Sequence, residues 1–205
     1  MLYFICGDRM KKLLIIFFVL MLTGCFNEED KSFAKDFFYM DTYINVKLYN
    51  IDTDTADMAF ENIELIYEEY HKLTDRYNEY EDMKNVYYIN NKLEIGESVI
   101  IDERLYDMML YSLEHYGEGL FNIAIGNVID LWRDYKDTGE GIPTYLELVN
   151  SGSIDINDII LNDGTISKRS DISIDLGAIS KGYTTEVVGN YLESIGVDQY
   201  LINAG

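Results

Sequence analysis

The 205-residue chain carries 16 basic against 37 acidic residues, a formal net charge of −21, with 48% apolar residues and 18 tyrosines. That length suits one domain or a domain and a half, and the apolar fraction is ample for a packed core, which excludes a disordered chain. The acidic balance excludes a nucleic-acid binder, which needs a basic face against phosphates; beyond that it speaks to solubility and names no partner.

The N-terminus reads as an export segment. Met10-Lys11-Lys12, then Leu13 to Leu22, is a charged region followed by an apolar stretch too short for a comfortable membrane span. It ends in Leu22-Thr23-Gly24-Cys25, which matches the lipobox of bacterial lipoproteins. That match implies a lipoprotein-type signal over 1–24, with Met10 as the true start, cleavage before Cys25 and lipidation of Cys25. Several acyl chains on one residue anchor stably where one is marginal, so the expected location is the cell membrane, lipid-anchored on its extracytoplasmic face. An uncleaved anchor helix is the alternative. Cys6 leaves with the leader, so the mature chain holds only Cys25 and forms no internal disulfide. Processing removes three bases and one acid, leaving 13 basic and 36 acidic residues and a charge of −23. The polar residues 25–36 read as a tether, and 37–205 as the folded part.

Thr42 to Tyr49 alternates and predicts the first strand. Asp52 and Asp54 offer N-caps for a helix to about Leu73, with Phe60, Ile63, Tyr67, Tyr70 and Leu73 on one face and Glu61, Glu64, Glu68 and Glu69 solvated. Val99 to Ile101 is a short strand, and Asp102 caps a helix to about Tyr116 that Gly117 and Gly119 end. Glu140 to Pro143 is a turn. Asp155 to Leu161 and Ile166 flank Asn162 to Thr165, which predicts a hairpin around Asp163-Gly164. Ile172, Ile174 and Leu176 then alternate as a central strand. Gly177 permits a tight turn into a helix with Val187, Val188, Tyr191, Leu192 and Ile195 inward and Gly196 as its stop. Tyr200 to Ile202 is another buried strand. Short strands, long helices and hairpins point to α+β rather than a doubly wound parallel sheet. His71 and His115 lack metal-like spacing and read as surface or helix-face histidines, and Trp132 as a structural anchor.

Chemistry concentrates in Ile172 to Tyr183. A strand, a glycine turn and a helix start aim unpaired backbone N–H groups at one spot, an anion-binding geometry. Lys181 adds a positive charge and Asp175 a carboxylate, which suits a metal–diphosphate ligand better than a bare anion. An ordinary turn is the alternative.

The string from Asp175 to Tyr183, DLGAISKGY, closely resembles the DLGGIAKGY signature of the FAD:protein FMN transferases, the ApbE family. Met40-Asp41-Thr42 is similar to the family's Met-Gly-Thr, whose methionine packs against the flavin. The family also has a passage like Leu73 to Tyr77, with an aromatic at the position of Tyr77 touching the isoalloxazine ring. Leu120 to Trp132 resembles the family's FDPTVGPLVNLW, which contacts FAD; Asn122 stands where aspartate is frequent, and Ala124 and Asn127 also depart. Asn203-Ala204-Gly205 resembles a following N-x-G-G turn.

The resemblance implies an ApbE fold, a T-fold-like mixed sheet with packed helices, incomplete at the C-terminus because family members continue into a histidine segment and an Asp/Thr pair of metal ligands. It implies Mg²⁺-dependent attachment of FMN from FAD to a Thr or Ser hydroxyl of an acceptor flavoprotein, of FMN-binding-domain or redox-pump-subunit type, with release of AMP. It assigns FAD contacts to Met40, Tyr77, Leu120, Phe121, Asn122, Asp175 and Lys181 and a metal contact to the carbonyl of Ala178, and identifies no catalytic residue. Asp175 could equally orient the turn. Two other readings stand: a membrane-tethered FAD-binding lipoprotein without catalysis, and an importer's solute-binding lipoprotein, which usually needs two full lobes.

Overall fold

The structure, a computed structural model, describes residues 31–117, 120–139 and 141–205. The signal segment and Cys25 lie outside them, and among the described residues no helix is long and apolar enough to cross a membrane. Helices and strands segregate as α+β, with two three-stranded antiparallel sheets.

In the first sheet, β2 (Thr42–Tyr49) lies between β1 (Ser32–Tyr39) and β6 (Tyr200–Asn203). The stretch expected to be a tether is therefore strand from Ser32 onward, and Thr42 opens the second strand rather than the first. Phe33, Lys35, Phe37 and Tyr39 turn inward while Ser32, Ala34, Asp36 and Phe38 are exposed. A lysine at an inward position disguised this alternation. Its ammonium lies 5.1 Å from the Phe37 ring centroid and pairs with Glu64 at 2.8 Å. The β1–β2 hairpin closes through Met40 and Asp41, both left-handed at φ 52° and 54°, the two-residue turn whose twist matches the strands.

The second sheet has β5 (Thr165–Lys168) between β3 (Ser98–Ile100) and β4 (Ile159–Asn162). The expected Asp163-Gly164 turn joins β4 to β5 with positive φ at both residues. Its first strand starts late, because Ile156–Asp158 forms a 3₁₀ turn that the Asp155 carboxylate caps.

Helix α1 (Thr53–Thr74) starts where the sequence places it, with Asp52 accepting from the Thr55 N–H at 2.9 Å. Its buried face spans two cores. Phe60, Ile63 and Tyr67 pack with Val46, Leu48 and Val188 over the first sheet; Tyr70 and Leu73 join Leu105, Met108, Ile166 and Ile174 over the second. The short helix α2 (Val86–Asn91) follows, capped by Asn85, and α3 (Glu103–Glu114), capped by Asp102, ends close to the expected stop. Helix α4 (Gly126–Thr138) fills the second half of the Leu120–Trp132 stretch and runs beyond it. Helix α5 (Tyr145–Val149) carries a capping box of Thr144 and Glu147. Helix α6 (Ser180–Ser194) ends at Gly196, φ 81°, as read.

Ile172 to Leu176 was expected to be the central strand and is not one. Ile172, Ile174 and Leu176 are buried, as the alternation requires, but no strand lies alongside. The Asn90 amide stands in for one: its Oδ1 accepts from the Ile174 N–H at 2.7 Å and its Nδ2 donates to the Ile174 carbonyl at 2.9 Å. The Asp175 N–H reaches the Ile123 carbonyl at 2.9 Å, and the Gly126 N–H reaches the Ser173 carbonyl at 2.8 Å. A side chain at Gly126 would place its Cβ 2.5 Å from Ser173 Oγ and 2.7 Å from the Ser173 carbonyl oxygen, so glycine sets this approach.

Asn90→Ala leaves both polar groups of Ile174 without these partners. It should cost about 2 kcal/mol of stability, within the range for unsatisfied buried groups, read as a fall in the urea midpoint at unchanged slope.

Candidate functional site

A cleft of about 340 Å³ lies at the C-terminal end of α1. Its wall comprises the Met40-Asp41 turn, His71 and Thr74 in the last turn of α1, Asp75 to Asn78 after it, Arg133 of α4, and Asp175 to Gly177 with Ser180 and Lys181. Among the expected site residues, Met40, Tyr77, Asp175 and Lys181 meet here. Leu120, Phe121, Asn122 and Ala178 do not line this cleft. Leu120 is 93% exposed, Phe121 packs against the second core, and the Asn122 side chain accepts from the Ala124 N–H at 2.8 Å while donating to the Ile154 carbonyl at 2.9 Å. Trp132, read as a structural anchor, is 45% exposed and does not line the cleft.

Arg76, like Arg133, is a cleft residue that sequence reasoning missed. Its guanidinium is buried and reaches Asp175 at 3.0 Å, Asp130 at 2.6 Å, Ser173 Oγ at 3.0 Å and the Gly126 carbonyl at 3.2 Å. Asp175 thereby has two structural duties, since its other oxygen accepts from the Gly177 N–H at 2.8 Å and shapes the turn into α6. Arg76 Nε is buried and has no hydrogen-bond partner among the described residues.

The turn presenting Arg76 and Tyr77 is itself tied down. Asp75 accepts from the N–H groups of Tyr77 and Asn78 at 2.7 and 3.0 Å, from the Asn78 amide and from the Tyr80 hydroxyl. The buried Asn85 amide donates to the carbonyls of Lys72, Asp75 and Asn78. Burial alone opposes ionisation of Asp75, but the hydrogen bonds from Asn78, Tyr77 and Tyr80 together outweigh it and hold the carboxyl below its usual range. Burial and the Asp75 partner push the Tyr80 phenol up to about 12.

His71, expected on a plain helix face, lines the cleft, and its Nδ1 accepts from the Met40 N–H at 3.3 Å. The imidazole proton therefore sits on Nε2 in this arrangement. His115 stacks on Tyr111, ring centroids 3.9 Å apart, and takes no part in the cleft. Tyr77 is half exposed, and its ring lies against two guanidinium groups, Arg133 at 4.0 Å and Arg76 at 5.4 Å from the centroid.

The cleft suits an anionic ligand with an extended polar end, since it offers Lys181 and Arg133. It suits Mg²⁺ less well. Among the described residues no group of three or more His, Cys, Asp and Glu side chains converges as a metal site, and the Asp75 and Asp175 carboxylates are already engaged. These residues form no magnesium cage by themselves.

Arg76→Leu would strand Asp175, whose side chain is 14% exposed, and should cost about 3 kcal/mol, as breaking one side of a buried pair does. Arg76→Lys should recover little of this, because an ammonium lacks the planar fork; urea midpoints check both. Because the folded Asp75 value is depressed below 3.8, its stabilisation is fully present above that pH and is lost as pH falls through the folded value. Acid unfolding of Asp75→Asn, followed by circular dichroism, should therefore depend less on pH below about 4.

The sequence model of the ApbE family matches residues 40–205. Among curated proteins, the FAD:protein FMN transferase of Vibrio cholerae is 30% identical over 91 residues, 43% of this chain and 27% of that protein. The one from Klebsiella pneumoniae is 33% identical over 92 residues, 43% and 29% of the two chains. The solved flavin transferase ApbE of Vibrio cholerae superposes with a TM-score of 0.71 at 21% identity, covering 86% of this chain and 58% of that one. The ApbE protein of Thermotoga maritima gives 0.72 at 18%, covering 85% and 57%. The matches thus span less than two thirds of these relatives' own length. With the family model matching most of its length, an α+β fold shared with solved ApbE proteins, and the DLGAISKGY turn at the cleft, the chain belongs to the ApbE family.

Proposed function

We propose that the chain acts as an FAD:protein FMN transferase, with FAD as substrate and an acceptor flavoprotein as partner. The observation that carries this is the meeting of Lys181, Arg133 and the Asp175 turn in one cleft, together with the transferase relatives. In the transfer, a Thr or Ser hydroxyl oxygen of the acceptor bonds to the FMN phosphorus. The bond from that phosphorus to the bridging oxygen breaks, AMP leaves with the electron pair, and the hydroxyl proton passes to water. Such a displacement needs an in-line nucleophile and charge neutralisation on the diphosphate. Lys181 supplies positive charge, and the Arg76–Asp175 pair fixes the turn that carries it. The resemblance implies Mg²⁺ with the Ala178 carbonyl as a ligand; Ala178 does not line this cleft, and such an ion would add charge neutralisation on the diphosphate. Lipidation of Cys25 would place the reaction on the extracytoplasmic face of the membrane; Cys25→Ser should then shift the protein from the membrane to the soluble fraction.

The decisive experiment mixes the full chain with FAD, Mg²⁺ and an acceptor flavoprotein domain, and records in-gel flavin fluorescence of the acceptor. A covalently fluorescent acceptor, lost with EDTA and restored by Mg²⁺, is the expected result. Bound FAD without transfer would make this a tethered flavin-binding protein, and neither binding nor transfer would reject the site. Lys181→Gln should weaken FAD binding about tenfold, the size of one charge-assisted contact, with the urea midpoint unchanged.

A further inference from the structure

We propose that Arg133 grips the phosphate of the ligand and that Tyr77 is the platform holding this arginine in place. The proposal rests on the cleft being an FAD site and names the residue that selects for the charged part of the ligand.

The guanidinium of Arg133 sits 4.0 Å from the Tyr77 ring centroid and donates a hydrogen bond to the Tyr77 hydroxyl. A cation–π contact uses the flat face of the guanidinium, whereas its N–H groups point outward in the plane. Contact with the ring and with its hydroxyl holds the fork at one end, and the N–H groups not given to Tyr77 remain as donors. Arg133 is exposed, lines the cleft, and has no carboxylate within ion-pair distance among the described residues.

That lack of a partner is built in. Asp130 lies three residues earlier on α4, where a helix places a natural partner for Arg133. Its carboxylate is instead drawn to Arg76 at 2.6 Å. Arg76 also lies near the Tyr77 ring, but its charge is answered by Asp130 and Asp175. Lys181 is likewise without a carboxylate partner among the described residues. Two unanswered cations thus face one cleft in a chain of net charge −21. A preorganised fork with open edge donors fits a phosphate bidentately, where an ammonium acts only as a point charge. Tyr77, expected to lie against the flavin ring, here carries Arg133 on its ring.

The test measures binding of ADP, FAD and uncharged riboflavin to the detergent-solubilised full chain, wild type against Arg133→Lys, Arg133→Leu, Tyr77→Leu and the double variant Tyr77→Leu/Arg133→Leu. Arg133→Lys keeps the charge but loses the fork, and should weaken ADP and FAD about tenfold while riboflavin affinity stays the same. Tyr77→Leu should weaken ADP similarly, and the double variant should lose little beyond Arg133→Leu, because the two residues act as one unit. ADP and FAD affinities within about twofold of wild type in both Arg133 variants, well under the tenfold expected for a lost charge-assisted contact, would overturn the proposal. So would a parallel loss of riboflavin, or a wild-type protein that binds neither nucleotide. Arg133-dependent ADP binding in a protein that transfers no FMN would sink the transferase reading and leave this one standing. FMN transfer indifferent to Arg133 would do the reverse.

Discussion

A guanidinium taken out of water must be answered along its edges, and Arg76 finds its acceptors on two other stretches of chain. Asp175 and Ser173 come from the segment before α6, and Asp130 and the Gly126 carbonyl from the start of α4. Arg76 itself follows the last turn of α1. One buried charge therefore fixes the relative positions of the cleft's main walls. The turn that presents it is stiffened in turn by Asp75 and Asn85.

The second theme is how a very acidic protein makes a place for an anion. At physiological salt, charges farther apart than about 8 Å are largely screened, so the nearest groups decide. Among the cleft's cations, Arg76 is neutralised by two carboxylates and serves the architecture, while Lys181 and Arg133 keep their charge. Removing Asp130 from the reach of its own helix serves both ends at once: it completes the Arg76 cage and leaves Arg133 unanswered.

Much of this fold was legible in the sequence where the cause was local. The apolar face and cap of α1, the Asp163-Gly164 hairpin and the Gly196 stop depend on neighbours a few residues away, and they stand where periodicity and turn chemistry put them. β1 was hidden because Lys35 occupies an inward position and extends its ammonium to Glu64. The segment at Ile174 alternates like a strand yet pairs with an asparagine amide 84 positions earlier in the chain. In the site, Asp175 and Lys181 were readable because a compact motif carries them. Arg76, Arg133 and His71 were not, since their roles arise from contacts between distant stretches that no spacing announces. The Leu120–Asn122 stretch was readable as a motif but lies away from this cleft, with Asn122 tied to Ile154.

The first sheet has a kinetic consequence. Its middle strand β2 is complete early in synthesis, whereas β6, its partner on one edge, comes far later; the Asn50 side chain there bonds Gln199, 149 positions on. Closing so long a loop costs entropy before any pairing rewards it, which makes such contacts slow to form. Until β6 arrives, the backbone donors and acceptors along that edge of β2 stand ready for any other extended chain. The window for misassembly is therefore set by the time needed to make and deliver β6.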